Sequence, residues 1–148
     1  MRSAGSLAVA VVVALVLGGC AGGASAHDLA QQACDGVDLD GRSYGSGTSS
    51  TFDPTERAAE IQEWVDSVSA AAELAAQAAA RESRYSDLVE ALTQVETQTL
   101  ALQRLFSAYG MKIEEYNERQ LAEAQAWSDD YERARTTAFA QCRIVAAD

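Results

Sequence analysis

Apolar residues recur at alternating steps of three and four along the chain, from residue 61 to residue 138. Three series share this spacing: Ile61, Val65, Val68, Ala72, Ala75 and Ala79; Tyr85, Leu88, Leu92, Val95, Thr99, Leu102, Phe106 and Tyr109; and Ile113, Tyr116, Leu121, Ala124, Trp127, Tyr131, Ala134 and Ala138. The third series slips by one residue after Tyr116. Such steps place side chains on one stripe of a helix, as in helical bundles and coiled coils. The pattern therefore predicts an all-α domain.

The helical region has one strong start and two internal breaks. Residues 53–56 (Asp-Pro-Thr-Glu) are a typical start, because Asp caps a helix, Pro suits its first position and Glu stabilises its first turn. The apolar series change phase near residues 83–86, and Tyr109-Gly110 is typical of a helix end. No Pro follows residue 56, and the stretches between the breaks are rich in good helix formers.

These breaks predict three helices of similar length, near residues 54–82, 86–109 and 111–142. Matched helices with short connections favour an antiparallel three-helix bundle. If only one break is real, the same sequence forms a long two-helix coiled-coil hairpin. Residues 20–52 contain stretches of small and Gly/Ser/Thr residues, so they are expected to form a flexible tether before a helical domain over residues 53–148.

Residues 7–17 carry a different apolar pattern, an unbroken run of 11 residues after Met1-Arg2. The run is shorter than the roughly 20 residues of a membrane-spanning helix and matches the apolar region of an export signal. It ends in Leu17-Gly18-Gly19-Cys20, which is a branched apolar residue, two small residues and a Cys. This sequence resembles the lipobox of bacterial lipoproteins.

The resemblance implies a fate for the N-terminal segment. In bacterial lipoproteins the lipobox Cys receives a diacylglycerol, a peptidase removes the preceding signal peptide, and the new N-terminus is often acylated with a fatty acid such as palmitate. By this resemblance, residues 1–19 are the signal peptide, Cys20 carries the lipid, and the protein is held on the extracytoplasmic face of the cell membrane. The alternative is an ordinary secretory signal cleaved near Ala24-Ser25-Ala26, in which Cys20 has no role.

If Cys20 carries lipid, Cys34 and Cys142 remain, and exported proteins keep disulfides. Only one pairing within the chain is then available, so we expect a structural Cys34–Cys142 bond. A redox pair or an intermolecular bond is the alternative, although no Cys-x-x-Cys motif supports redox chemistry. The bond favours the hairpin mildly, because in a three-helix bundle the first helix starts about 40 Å from the end of the last. The residues between Cys34 and Asp53 would then have to span that distance.

The charge balance excludes several classes of function. The chain has 22 acidic and 11 basic residues, a net charge of -11, and would repel a phosphate backbone, so we expect no nucleic-acid partner. Its single His and widely spaced Cys offer no metal-ligand pattern and no catalytic set, so we expect no metal, no cofactor and no enzyme activity. Acidic residues around the last helix form a candidate partner surface, which comprises Glu114, Glu115, Glu118, Asp129 and Asp130.

Anchor, tether and acidic bundle together predict a non-catalytic interaction or structural module of the cell envelope. The expected partner is an envelope protein or a second copy of the chain, and the N-terminal lipid is the expected contact with the membrane. One alternative is a small-ligand-binding lipoprotein with a pocket lined by Trp64, Trp127 and Tyr131. Another is a phage- or prophage-type exclusion lipoprotein, which shares the small size and the lack of catalytic residues.

Overall fold

The computed structural model describes residues 23–37 and 53–148, and within these two stretches it contains helices and no strand. The four α-helices are α1 (Ala26–Gly36), α2 (Pro54–Arg81), α3 (Ser86–Tyr109) and α4 (Glu118–Val145). Short 3-10 turns, Ser83–Tyr85 and Ile113–Glu115, lie in the connections that follow α2 and α3. The all-α bundle predicted from the apolar spacing is confirmed.

Helices α2, α3 and α4 form an antiparallel three-helix bundle in which α3 packs against both of the others. At one end, which we call the α2–α3 end, Arg84 pairs with Asp148 beyond the last turn of α4, at 3.0 Å. At the opposite end, the α3–α4 end, the Tyr109 hydroxyl donates to Glu123 at 2.6 Å. Both breaks in the apolar pattern are therefore real, and the chain does not form the two-helix hairpin.

Local signals set the helix boundaries. Asp53 Oδ1 accepts a hydrogen bond from the Thr55 backbone N–H at 2.8 Å and caps α2. Helix α3 ends at Gly110, whose φ of +82° is a conformation that residues with a side chain rarely adopt. Helix α4 is capped by the side chain of Asn117, so the predicted start at residue 111 is wrong. The one-residue slip in the third apolar series marks this later start.

The first two apolar series supply most of the core. The largest fully buried side chains are Leu88, Leu92, Val68, Val95 and Thr99. The third series is less complete: Ala134 and Ala138 are buried, whereas Ile113 and Leu121 are 47% and 44% exposed. Ile113 precedes α4, and Leu121 lies about 140° around α4 from Ala134. The inclusion of Ile113 and Leu121 in the buried stripe is therefore wrong.

Helix α1 lies inside the stretch predicted to be a tether, which corrects that prediction for residues 26–36. Ser25 and Asp28 form a capping box at its start, with the Asp28 backbone N–H donating to Ser25 Oγ at 3.0 Å. Its apolar side, which includes Leu29, Ala30 and Ala33, is buried against α2 and α4. Three turns of mostly small residues form a stable helix only through such packing. Residues 20–22 and 38–52 of the predicted tether, with Cys20 among them, and the signal peptide lie outside the described residues.

Cys34 and Cys142 form the predicted disulfide, with Cα atoms 5.5 Å apart. The bond joins α1 to the last turns of α4 at the α2–α3 end. The bond is compatible with three long helices because α1 lies at the α2–α3 end, where it begins beside Arg81. Asp53, which caps α2, lies at the opposite end of the bundle, and 18 residues separate it from Cys34. At about 3.3 Å for each residue, this stretch is long enough to return to the start of α2.

Candidate functional site

The predicted acidic surface divides into two groups. Glu114 and Glu115 lie in the 3-10 turn before α4, and Glu118 is the first residue of α4, so these three lie at the α3–α4 end. Asp129 lies eleven residues beyond Glu118, on the same face of α4 but about 16 Å farther along its axis. Asp130 is turned about 100° away from Asp129. All five side chains are exposed, as predicted for a solvated face, but they do not form one cluster.

Several of these carboxylates are already paired. Lys112 Nζ lies 3.1 Å from Glu115 Oε1, Arg133 pairs with Asp130, and the Gln125 side chain donates to Asp129 at 3.0 Å. Helix α4 holds five acidic and four basic residues, so its own net charge is small.

The larger acidic excess lies on α2, which sequence inspection did not single out. The helix has five acidic residues and two Arg. Four of the five fall in its first half, namely Glu56, Glu60, Glu63 and Asp66, and all four are exposed. Their spacing of three and four places them along one side of α2. That spacing is visible in the sequence, and counting charge helix by helix would have found it.

The acidic excess is uneven along the bundle. Dividing α2, α3 and α4 at their midpoints gives two halves of the described chain. The half at the α3–α4 end has eleven acidic and four basic side chains, and the half at the α2–α3 end, together with α1, has nine and five. The α3–α4 half is therefore the more negative surface.

A shallow cleft of about 240 Å³ opens between α2 and α3 near the α3–α4 end. Its lining residues are Ala58, Ile61, Gln62, Gln103, Phe106, Ser107 and Met111. The Gln103 side chain donates to the Gln62 side chain at 2.7 Å across it. Ligand pockets usually enclose about 300–1,000 Å³, so this cleft suits a small apolar group better than a whole metabolite.

The aromatic residues that the ligand-binding alternative places around a pocket pack against one another. Trp64 meets Tyr131 edge to face at 5.3 Å between ring centroids, and Trp127 stacks on Tyr131 at 5.6 Å. The Trp127 indole N–H donates to the Gln98 carbonyl at 2.7 Å. These rings therefore fill the space between α2 and α4 and fasten α4 to α3, and the cleft described above lies elsewhere.

No family model, curated protein or solved structure matches this chain. The candidate site is accordingly defined by the geometry of the chain's own residues. Within residues 23–37 and 53–148, no group of His, Cys, Asp and Glu is arranged to hold a metal ion. None of the helices in those stretches combines the length and apolar character needed to cross a membrane.

Two tyrosines at the α3–α4 end have altered ionisation. The hydrogen bond from the Tyr109 hydroxyl to Glu123 lowers the pKa of that carboxyl and raises the pKa of the tyrosine. Burial raises the pKa of Tyr116, whose hydroxyl donates to the Gly110 carbonyl. Both hydroxyls therefore stay protonated near neutral pH and act as fixed donors that shape the α3–α4 connection.

Together these features make the α3–α4 end the best candidate site for contact. It presents the cleft, the Glu114–Glu118 carboxylates and the exposed apolar side chains Ile113 and Leu121. Such a surface suits binding to a protein with basic and apolar groups.

Proposed function

We propose that this chain is a lipid-anchored lipoprotein that acts by contact, as a non-catalytic interaction or structural module on the extracytoplasmic face of the cell membrane. The observation that carries the proposal is Leu17-Gly18-Gly19-Cys20 at the end of an 11-residue apolar run. The Cys34–Cys142 disulfide supports it, because such bonds persist in oxidising compartments outside the cytosol.

The anchor is expected to provide the membrane affinity. Each buried CH₂ of an acyl chain contributes about 0.8 kcal/mol, so two or three chains on Cys20 would hold the protein stably. The protein body does not contribute, because loss of residues 1–19 also removes Arg2 and leaves a domain that anionic lipids repel.

The contact role is supported by the charge and shape of the α3–α4 end. Its acidic excess would attract a basic envelope protein over about one Debye length, roughly 8–10 Å at physiological salt. Glu114, Glu115 and Glu118 lie next to the exposed apolar side chains Ile113 and Leu121. An apolar patch with a charged rim is the usual anatomy of a protein interface.

The anchor is tested by metabolic labelling with an alkynyl fatty acid and by intact mass of the purified protein. Cys20→Ser should abolish labelling and leave unprocessed or released protein. The matched control is Cys34→Ser with Cys142→Ser, which removes the other two cysteines and should leave labelling unchanged. Undiminished labelling of Cys20→Ser would exclude the anchor.

The contact is tested by crosslinking in the native envelope and identification of the captured protein. Glu114→Lys with Glu115→Lys and Glu118→Lys should reduce capture strongly, and added salt should do the same. The matched control is Asp87→Lys with Glu90→Lys and Glu73→Lys, an equal change of charge on exposed residues of the other half. Capture that is insensitive to salt and falls equally in both variants would argue against this surface.

The cleft between α2 and α3 favours a second candidate function, the binding of a small apolar ligand. Ser107→Trp would fill the cleft from its edge. If the protein carries a ligand there, organic extraction of natively purified protein should release a small molecule that is missing from the Ser107→Trp variant. Recovery of the same molecule from both proteins would exclude this cleft as its site.

A further inference from the structure

We propose that the bundle stands end-on at the membrane, with the α2–α3 end facing the lipid surface and the α3–α4 end pointing away from it. This inference rests on the proposed lipid attachment at Cys20. It goes beyond attachment, because a lipid on a long flexible tether would leave every face of the domain equally free to meet the membrane.

The described chain enters the fold next to the end of α2. The guanidinium of Arg81, the last residue of α2, donates to the carbonyl of Ala24. The Tyr85 hydroxyl lies 3.3 Å from His27 Nδ1, within hydrogen-bond distance. Ala26 is only 3% exposed. These contacts place the start of α1 at the α2–α3 end of the bundle.

Helix α1 is held at this end by packing and by a covalent bond. Leu29, Ala30 and Ala33 are buried between α2 and α4. The disulfide from Cys34 to Cys142 adds a covalent link to α4. These contacts and the covalent link therefore hold α1 at the α2–α3 end of the bundle.

Only a short stretch of chain connects Cys20 to the start of the described fold. Four residue steps separate Cys20 from Ala24, and each spans at most about 3.6 Å, so the lipidated residue lies within about 14 Å of the α2–α3 end. Helix α2 has 28 residues, which corresponds to about 42 Å along the bundle. A tether that reached to residue 52 would span more than about 100 Å. Because α1 packs against the bundle, only a few residues connect Cys20 to the folded domain, instead of the whole predicted tether.

Charge then favours the upright position over one in which the bundle lies flat. Among the described residues, eleven acidic and four basic side chains occupy the α3–α4 half, against nine acidic and five basic in the α2–α3 half with α1. An anionic leaflet repels acidic side chains within about a Debye length of its surface. The more negative half is therefore the one driven away from the membrane, which leaves the cleft and Glu114–Glu118 open to a partner.

Energy transfer to the membrane measures this orientation directly. Ser83→Cys and Ala108→Cys place one maleimide-reactive thiol at the α2–α3 and α3–α4 ends, on exposed residues. The native thiols do not compete, because Cys20 is a thioether and Cys34–Cys142 is a disulfide. Each lipidated, full-length protein carries a donor dye and is placed in phosphatidylcholine–phosphatidylglycerol vesicles that contain an acceptor-labelled lipid. Transfer from residue 83 should be at least about twofold greater than from residue 108, since the two lie roughly 35 Å apart.

A second variant tests whether the short connection is the cause. A flexible Gly/Ser insertion of about 20 residues between Gly22 and Gly23 lengthens the tether and leaves the folded domain unchanged. The difference between the two labels should then shrink markedly. Equal transfer from both labels in protein that floats with the vesicles overturns the orientation. An undiminished difference in the inserted variant also overturns it. Protein that does not float with vesicles overturns the anchor itself, so the two failures are distinguishable.

Discussion

At the α2–α3 end four helices surround the core and a disulfide closes it, whereas at the α3–α4 end only three of the described helices do so. The first end buries Leu29, Ala30 and Ala33 of α1, although Phe139 and Ile144 of α4 stay exposed there. The second end carries the cleft between α2 and α3 and leaves Ile113 and Leu121 exposed. The same long helices therefore produce a closed end and an open end. Helical periodicity therefore fixes the bundle, while the packing of α1 decides which end remains available for contact.

The difference begins with residue size along α2. Its second half presents Ala71, Ala72, Ala75 and Ala78 to its neighbours, and all four are buried. Small side chains let α1 and α3 approach α2 closely on two sides. The first half presents Ile61, Trp64 and Val65, which are bulky and fill the interhelical space without a fourth helix. A helix with small residues at one end and large ones at the other therefore has one end suited to an added helix.

Loss of the disulfide should have the largest effect on the closed end. The bond closes a loop with a sequence separation of 108 residues, for which chain entropy predicts a stabilisation of about 4–5 kcal/mol. Cys34→Ser with Cys142→Ser should therefore lower the free energy of unfolding by nearly that amount in urea titrations. Hydrogen exchange should speed up first in α1, because α1 then relies on its few apolar contacts alone.

Reduction of the wild-type protein is the control for those substitutions, since it breaks the same bond without changing the side chains. It should match the double variant, and Cys20→Ser should leave the domain's stability unchanged. A change below about 1 kcal/mol in both the reduced and the substituted protein would mean that α1 packing alone closes this end.

Removal of one core leucine should have the next largest effect. Leu92 is fully buried on α3, and Leu92→Ala should cost about 3 kcal/mol through lost apolar contacts and the cavity left behind. The matched change on the open end is Leu121→Ala, which should stay within about 0.5 kcal/mol because that side chain is 44% exposed. Urea titration gives the free energy of unfolding of both variants. A large decrease for Leu121→Ala would show that the open end is covered in solution.

The sequence predicts α2 and α3 closely because each carries a long apolar stripe and a clear boundary, whereas the prediction of 111–142 for α4 misplaces both ends. The predicted helix over 86–109 has the bounds of α3, and the prediction for α2 is one residue too long. Helix α1 escapes prediction because its apolar pattern covers three turns of mostly alanine, and its burial depends on a groove formed by residues far along the chain. The disulfide was predictable by elimination, but its place in the topology required α1.

The candidate site was predictable only in part. Exposure of the acidic residues follows from their position outside the apolar stripe, as expected for Glu118 and Asp129. Their separation into two groups depends on where α4 begins, which the apolar series misplaces. The cleft is lined both by Ala58 of α2 and by Met111, which follows α3. These two residues are far apart in the sequence, so no local pattern indicates that they lie close together.

The two capping boxes offer a matched test of intermediate size. Ser25 caps α1 at the closed end, and Asn117 caps α4 at the open end. Replacement of either residue by Ala should cost about 1 kcal/mol. Ser25→Ala should speed hydrogen exchange only in the first turn of α1, whereas Asn117→Ala should affect the start of α4. Faster exchange throughout the bundle in Ser25→Ala would contradict the view that the disulfide holds α1 in place.

The smallest expected effect concerns the Tyr109–Glu123 hydrogen bond, which joins the end of α3 to α4 at 2.6 Å. Chiefly because of this bond, the pKa of Glu123 lies below its ordinary value of 4.5, with a further contribution from Arg119. A carboxyl with a lowered folded-state pKa stabilises the fold above its unfolded-state pKa, and this contribution is lost as pH falls through the folded-state value. Tyr109→Phe should therefore raise the pKa of Glu123 in a ¹³C NMR titration. The stability difference from wild type should be greatest near neutral pH and vanish in acid.

Arg119→Gln is the control for that titration, and it should raise the pKa of Glu123 by less than Tyr109→Phe does, because the tyrosine hydrogen bond is the larger cause. Asp28 provides the reference at the closed end, where its hydrogen bonds with Ser25 lower its pKa. It should titrate unchanged in both variants, because it lies at the opposite end of the bundle. If Tyr109→Phe left Glu123 unchanged, the α3–α4 connection would be open in solution, and the contrast between the two ends would be larger than the structure shows.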